Sequence, residues 1–362
     1  MNSQMRRCLD DLSQRIDEQE EAAVHQAWID FVEGHNTTDP FIPPRRTPRP
    51  PQCEWPDIHI NDALHDVDLM VLREFKQVSD LVAFGVNLAF NVRCNYGVSI
   101  MTSQLGCEVI EMPREQGDLP TTLALGSESD RVAAIQAAVD HGVPDLDAGQ
   151  GGDVFRTAER FLEVLEQWPV LKRWVTLYHP DTQGPMDNAE LAWGSDIFLA
   201  FYDTPDLVHA FIELMTEHYL AFMRRWQKLV PPDREHMPHW GMVVKGQIVL
   251  RDDSLMNLSP EIYVDFVRDR EARCLRELGG GLVHFCGRGD HFIEALSAMQ
   301  ADGLTAINMS QPELNNMETI LTHTVDRGLN VTRFDAEVAA SLVASGRKLH
   351  GRLHAARDWK TG

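Results

Sequence analysis

The stretch GGGLVHFCGRGDHFIEALSAMQADGLTAINMSQPELNNMETILTHTVDRGLNVTRF, residues 279–334, decides the fold class. It contains three short apolar runs, Leu282–Cys286, Leu304–Met309 and Leu329–Phe334, each of the length and composition of a buried strand. Amphipathic segments follow each run and are predicted to be helices, from about His291 to Gln300, from Met317 to Val325 and from Ala336 to Ser345. Strand and helix therefore alternate at short intervals, which predicts parallel βα units with right-handed crossovers.

Two helix starts precede this stretch. Thr204-Pro205-Asp206 and Ser259-Pro260-Glu261 each combine a capping hydroxyl, a proline at the first helical position and an acid near the positive end of the helix dipole. Gly279-Gly280-Gly281 is expected to end the second helix. A closed barrel and an open doubly wound sheet both satisfy this pattern, and periodicity alone does not choose between them.

The N-terminal part has a different composition. Residues 1 to about 36 are rich in Glu, Gln and Arg and predict a helical arm, and the Pro/Arg-rich segment 41–51 cannot be helix or central strand. Its arginines, Arg45, Arg46 and Arg49, are either an anion site or, the favoured interpretation, part of a strap over the body. We therefore divide the chain into residues 1–54, arm and strap, and residues 55–362, the α/β body.

Composition and charge limit the class of protein. The chain has 33 Lys and Arg against 55 Asp and Glu, a net charge of −22, which disfavours nucleic acid and anionic membrane surfaces as partners. No apolar run approaches the roughly 18 residues of a membrane span, and the charged N-terminus has no signal-peptide pattern. Six cysteines without framework spacing indicate reduced thiols. These features predict a cytoplasmic protein.

The motif with the strongest chemical signal is Val283-His284-Phe285-Cys286-Gly287. Side chains alternate along a strand, so His284 and Cys286 point to the same side. Imidazole and thiolate are both zinc ligands, and the end of a parallel strand is where α/β barrels carry their chemistry. A buried histidine and cysteine that merely pack are the alternative explanation of this motif.

Polar clusters follow other predicted strands, which favours one shared pocket over a set of unrelated turns. The candidate catalytic residues are Arg93, Asp181, Asp253 and Arg288. The candidate substrate-binding residues are Tyr96, His179, Gln183, Asn308, Gln311 and Glu313. Residues 235–240 contain Pro238, which breaks any helix. We interpret this segment as a surface loop, with His239 as a further candidate metal ligand.

The order of several motifs resembles the uroporphyrinogen decarboxylase-like superfamily, which includes the methylcobalamin:coenzyme M methyltransferases. The resemblance runs from about Asn95 to the C-terminus and rests on Gln183-Gly184-Pro185, residues 203–206, Asp252-Asp253 and the His-x-Cys-Gly motif at 284–287. It implies a (β/α)8 TIM barrel, here with an N-terminal helical extension. The arginine-containing R-x-x-G-R element of the decarboxylase branch is absent, so the chain is more similar to the methyltransferase branch.

That branch holds zinc with a His-x-Cys pair and a cysteine near the C-terminus. No cysteine follows Cys286 here, and His350 or His354 is expected to replace it. The resemblance implies a zinc-dependent methyltransferase or demethylase that acts on a small molecule with a corrinoid, such as methylcobalamin, on a partner protein. Asp253 or Asp181 would orient the substrate, and Arg93 or Arg288 would pair with an anionic group on it.

Two alternatives to this function remain open. The first alternative is a decarboxylase or other lyase of the uroporphyrinogen decarboxylase type, with a structural His/Cys pair. The second is a catalytically silent barrel that binds a small ligand or a corrinoid protein. Metal content separates the first alternative from the zinc enzyme, because the decarboxylase needs no metal. A homodimer is a further expectation.

Overall fold

A computed structural model describes residues 3–232 and 234–356. The α-helices are α1 (Ser3–Arg15), α2 (Glu18–Val32), α3 (Ile60–Ala63), α4 (Val67–Phe84), α5 (Ile100–Gln104), α6 (Arg131–His141), α7 (Gly151–Gln167), α8 (Pro169–Trp174), α9 (Pro185–Trp193), α10 (Ile197–Asp203), α11 (Pro205–Leu229), α12 (Pro260–Ile262), α13 (Asp269–Leu278), α14 (Ile293–Ser297), α15 (Met317–His323) and α16 (Ala336–Ala344). The strands are β1 (Asn91–Val92), β2 (Val109–Ile110), β3 (Thr121–Thr122), β4 (Thr176–Leu177), β5 (His236–His239), β6 (Met242–Lys245), β7 (Ile248–Arg251), β8 (Gly281–Phe285), β9 (Leu304–Met309), β10 (Asn330–Asp335) and β11 (Leu353–Ala356).

Parallel strands form the centre of the molecule. A five-stranded sheet has the order β11-β10-β9-β8-β7, and β1 pairs with β4 in a second parallel sheet. A parallel bridge between Phe41 and His354 extends the larger sheet beyond β11. The predicted α/β class is confirmed, while closure into an eight-stranded barrel stays a prediction. Two antiparallel hairpins, β2-β3 and β5-β6, add to this framework.

The three strands predicted in residues 279–334 are confirmed as β8, β9 and β10, each within one residue at either end. The helices after β8 and β9 are shorter than predicted, because α14 and α15 both continue as 3₁₀ turns. Gly281 has φ +151°, and a Cβ there would lie 1.9 Å from the carbonyl oxygen of Ile248 on β7. Only glycine permits this close approach of the two strands.

The two predicted helix starts differ in their caps. α11 begins at Pro205, but the Thr204 hydroxyl makes no capping hydrogen bond and has no partner among the described residues. The expectation of a hydroxyl cap there was wrong. At the second start, Ser259 Oγ accepts a hydrogen bond from the amide of Ile262. That helix continues through a π-helical turn and ends at Gly279, which has φ +93°.

The N-terminal arm and strap are bound to the body. The apolar face of α1 is buried in the main core, from Met5 to Leu12. The buried Arg46 guanidinium pairs with Glu21 on α2, and Arg49 pairs with Asp17 and Glu20. The arginines at 46 and 49 are therefore paired with carboxylates of the arm.

The segment predicted to be a surface loop is an inserted hairpin, β5-β6. Pro238 and His239 are buried, and Val244 packs in one apolar cluster with Val249, Leu282 and Ala306 of the central sheet. Pro238 is tolerated because β5 pairs only with β6 in a two-stranded sheet, which leaves its other edge without a ladder. The surface-loop interpretation is wrong, because this segment is part of a hairpin that is buried against the central sheet.

All six cysteines are free thiols. Within the two described ranges, no helix has both the length and the apolarity of a membrane span.

Candidate functional site

The register of the large sheet assembles the candidate site. Arg251 of β7 lies opposite His284 of β8, and His284 lies opposite Asn308 of β9. Because these strands are parallel neighbours, their carboxyl ends meet at one edge. The residues that follow, including Asp253 and Cys286, extend from the same edge.

Three side chains converge there as a possible metal site. One ligand atom each from Asp253, His284 and Cys286 lies within 4.8 Å of the others. His284 Nε2 is 3.5 Å from Cys286 Sγ and 3.3 Å from Asp253 Oδ1. His284 and Cys286 were predicted as metal ligands and Asp253 as a catalytic residue, and the structure brings all three together.

Asn308 orients the imidazole of His284. Its Oδ1 lies 2.7 Å from His284 Nδ1, and its Nδ2 donates to the carbonyl oxygen of Thr332 at 2.7 Å. Because the amide nitrogen is occupied by a carbonyl, Oδ1 must face His284 and accept the Nδ1 proton. With a proton on Nδ1, the Nε2 atom is the one directed at Cys286 and Asp253. Histidine ligands of metals are held by outer hydrogen bonds of this kind.

The donor set fits a divalent cation. Asp253 Oδ1 is buried and accepts no hydrogen bond from the described residues, although it faces His284 Nε2 at 3.3 Å. Burial raises the Asp253 pKa, but hydrogen bonds and charge from His284, when that ring also carries a proton on Nε2, together with hydrogen bonds from Cys286 lower it overall. Burial and then the nearby Asp253 carboxylate raise the pKa of Cys286 to about 12. One carboxylate, one imidazole and one sulfur are donors that zinc accepts together, and a bound cation would favour the thiolate.

Asp187, in the first turn of α9, positions the residues after β7. Its carboxylate oxygens accept hydrogen bonds from the amides of Asp253 and Ser254, both at 2.8 Å, and from the Ser254 hydroxyl at 2.5 Å. Burial and the Asp253 charge raise the Asp187 pKa to about 7. Asp187 was missed because its sequence signal, an acid in a first helical turn, is also that of an ordinary helix start.

Asp253, His284 and Cys286 are called the metal group below. A second polar group lies beside it. Arg93 after β1 and Arg251 at the end of β7 both pair with Asp181. Arg251 is 3% exposed and also donates to His239 Nε2 at 2.9 Å and to the carbonyl oxygen of Thr182 at 3.2 Å. Arg93 and Asp181, both predicted as catalytic residues, are thus in contact, with Arg251 between Asp181 and His239.

Burial lowers the pKa of both histidines near this group. Burial and the Arg251 charge lower the pKa of His179 to about 3. Its Nδ1 lies 2.9 Å from the Pro180 carbonyl oxygen, and its Nε2 accepts from the amide of Val249 at 3.0 Å. Burial and His179 lower the pKa of His239 well below its ordinary range. In this structure His179 bonds the end of β4 to β7, and His239 accepts from Arg251 instead of joining the metal group.

The remaining predicted residues occupy varied places. Tyr96 is buried, and its hydroxyl shares a hydrogen bond with the Thr157 hydroxyl. Gln183 is buried, and its Oε1 has no hydrogen-bond partner among the described residues. Gln311 accepts a hydrogen bond from the amide of Gly287 at 2.6 Å. Two are exposed: Arg288, which pairs with Asp290, and Glu313, in a 3₁₀ turn. Their assignment to substrate or catalysis stays a prediction.

The two C-terminal histidines have partners away from the metal group. His350 Nε2 lies 3.3 Å from Asp326. His354 on β11 is buried against Trp28 and Phe41, and its Nδ1 accepts from the amide of Arg333 at 3.1 Å. Among the described residues, the third member of the metal group is Asp253. Neither His350 nor His354 belongs to this group.

Changing Asn308 to Leu is expected to weaken zinc binding by roughly 10–100-fold, the usual cost of losing an outer partner of a ligand. Without the Oδ1 acceptor, the imidazole of His284 is free to change tautomer and rotate. Asn308→Asp is the matched control, because a carboxylate still accepts the Nδ1 proton, and its affinity should lie nearer that of the unmodified protein. Competition with a chelating dye measures both, and equal affinities for the two variants would contradict the role of Asn308.

Comparison with known proteins gives a structural match. No protein-family model and no curated protein sequence matches the chain. The structure is similar to that of a methyltransferase from Methanosarcina mazei, with a TM-score of 0.60 over 92% of each chain at 14% sequence identity. At this identity the match shows that the two proteins share a fold.

Proposed function

We propose that this protein is a zinc-dependent methyltransferase or demethylase of the uroporphyrinogen decarboxylase-like superfamily, with a closed (β/α)8 barrel. It would act on a small molecule with a corrinoid carried by a partner protein. The observation that carries the proposal is the His284 imidazole, whose Nδ1 proton is directed to Asn308 while Nε2 faces Cys286 Sγ at 3.5 Å and Asp253 Oδ1 at 3.3 Å. The shared fold with a methyltransferase supports the reaction class.

In this proposal Asp253, His284 and Cys286 hold the zinc ion. When bound, zinc acts as a Lewis acid that lowers the pKa of a coordinated thiol or hydroxyl group, so that its anion can exchange a methyl group with the corrinoid. Asn308 keeps the proton of His284 on Nδ1, and Asp187 holds the backbone that carries Asp253. Each of these two residues thereby supports one ligand.

The chain also supplies groups for a substrate beside the metal. Arg93 is 19% exposed and Asp181 13%, whereas Arg251 behind them is only 3% exposed. One carboxylate between two guanidinium groups leaves one positive charge uncompensated within this group. We propose that Arg93 pairs with an anionic part of the substrate and that Asp181 fixes the Arg93 guanidinium.

A thiol-nucleophile enzyme is a second candidate, because Cys286, His284 and Asn308 follow one another in hydrogen-bond contact. The Asp253 carboxylate argues against it. Burial and then Asp253 raise the pKa of Cys286 to about 12, which opposes formation of a free thiolate. A bound cation removes this conflict, so the metal centre is the better explanation.

The test uses the purified full-length protein with methylcobalamin and a panel of thiols and phenols. Loss of the cobalt–carbon absorption, inhibited by a chelator and restored by Zn²⁺, is the expected result. Uroporphyrinogen incubated in parallel should keep its carboxyl groups. Absence of bound divalent metal would disprove the zinc proposal, and chelator-insensitive decarboxylation would support a lyase instead.

A further inference from the structure

The β5-β6 hairpin packs directly beneath the residues of the candidate site. Its Val244 shares an apolar cluster with Val249, Leu282 and Ala306. These three residues precede Arg251, His284 and Asn308 by two positions on β7, β8 and β9, respectively. Side chains two apart on a strand share a face, so the hairpin lies against the layer next to the site.

Both ends of the hairpin are held in place. At its open end, Glu33, the residue that follows α2, accepts from His236 at 2.6 Å and from Lys245 at 2.7 Å. At its turn, the amide of Ala89 donates to the carbonyl oxygen of Gly241 at 2.7 Å. The position of the turn relative to the sheet is therefore defined by hydrogen bonds and by apolar packing.

The turn itself contains an unfavourable residue. Trp240 and Gly241 are its two central residues, with φ +51° and +76°. Two positive φ values in a two-residue hairpin turn favour Asn-Gly or Gly-Gly, because a Cβ crowds the following carbonyl oxygen in this left-handed conformation. Backbone strain of this kind commonly accompanies function.

The indole of Trp240 contacts the candidate site from the side on which the hairpin packs. The Arg251 guanidinium lies 4.4 Å from the centre of the Trp240 ring, within the range of a cation–π interaction. The ring of His284 lies 5.2 Å away at an interplanar angle of 81°, an edge-to-face contact. Trp240 thus contacts one group from each half of the site, the arginine pair and the metal group.

We propose that Trp240 is a positioning residue that sets the orientation of His284 in the metal group, an inference that rests on the proposed zinc site. Asn308 fixes one edge of the imidazole by a hydrogen bond of 2.7 Å at Nδ1, whereas Nε2 has only longer contacts, 3.5 Å to Cys286 Sγ and 3.3 Å to Asp253 Oδ1, so these contacts alone allow the ring to tilt. The indole blocks this tilt, so that Nε2 stays directed at Cys286 and Asp253. The cation–π contact with the same indole also keeps the Arg251 guanidinium in the orientation in which it pairs with Asp181.

The experiment measures binding of Co²⁺, whose visible absorption reports the ligands and geometry of the site. Trp240→Asn places a favoured residue in the turn and removes the ring, and Trp240→Leu removes the ring while keeping apolar bulk. Both are expected to bind Co²⁺ about tenfold more weakly with a shifted visible spectrum, and Trp240→Phe should restore much of both. Trp174→Asn is the matched control, since Trp174 is also half-buried beside an arginine, Arg173 at 4.9 Å, but lies outside the metal group.

The outcomes separate this inference from the proposed function. If the unmodified protein binds Co²⁺ and folded Trp240→Asn or Trp240→Leu protein binds it with the same affinity and spectrum, the positioning role is disproved while the metal site stands. If Trp174→Asn weakens binding equally, the effect is a general loss of packing and the inference also fails. If the unmodified protein binds no Co²⁺, the metal site and this inference fail together. Should Trp240→Asn not fold, by circular dichroism, Trp240→Leu decides.

Discussion

Cys286→Ser protein is expected to bind zinc roughly 100-fold or more weakly than the unmodified protein, since even outer partners of a metal ligand contribute 10–100-fold. Serine keeps the size and polarity of the side chain, but its hydroxyl is a poor zinc ligand at neutral pH compared with a thiolate. The loss should therefore reflect the missing sulfur and not a change of packing. Metal analysis of the purified protein and competition with a chelator measure the effect.

Cys53→Ser is the matched control for this prediction. Cys53 is half-buried, as Cys286 is, but lies in the N-terminal segment outside the metal group. Its substitution should leave zinc content unchanged. Equal zinc content in the two variants would show that Cys286 is not a ligand, and the thiol and carboxylate beside His284 would then require another explanation.

The second large effect concerns stability. Asp181→Ala is expected to lower the free energy of unfolding by about 3–5 kcal/mol, because it leaves Arg251, only 3% exposed, and Arg93 without the carboxylate they share. A buried guanidinium without a counterion carries most of its desolvation cost uncompensated. Urea unfolding followed by circular dichroism gives this difference if the slope with urea is unchanged.

A surface ion pair provides the control. Asp153 pairs with Arg156 one turn along α7, where the two side chains are 39% and 64% exposed. Asp153→Ala should cost less than about 1 kcal/mol. An Asp181→Ala variant no less stable than Asp153→Ala would mean that the arginine pair does not need Asp181, and its proposed role in fixing Arg93 would be lost.

The sequence predicted those parts of the site that depend on neighbours along the chain. His284 and Cys286 share a face because strand side chains alternate, and the structure places their ligand atoms 3.5 Å apart. Polar loops after successive strands predicted a shared pocket, because the carboxyl ends of parallel strands lie at one edge of the sheet. Long-range partners could not be predicted in this way. Asp253 joins the metal group because β7, which it follows, pairs in parallel with β8. Asn308 contacts His284 because β9 pairs with the other edge of β8.

Burial was the second property that sequence patterns did not reveal. Residues 235–240 are polar and contain proline, a composition typical of a surface loop, but they form part of a hairpin packed against the sheet. His354 was a candidate ligand, but its strand pairs beside β10, and its ring is buried against Trp28 and Phe41 of the arm and strap. In both cases the environment comes from segments distant in sequence.

By itself, then, the sequence determined the alternation of strands and helices and the His-x-Cys pair at a strand end, because both depend on local periodicity and local propensity. Tertiary structure alone decided that Asp253 lies beside His284, that Asn308 directs the imidazole proton and that Trp240 contacts the imidazole edge-to-face. Strand register and the insertion of the hairpin place these groups together, and neither is encoded by spacing along the chain.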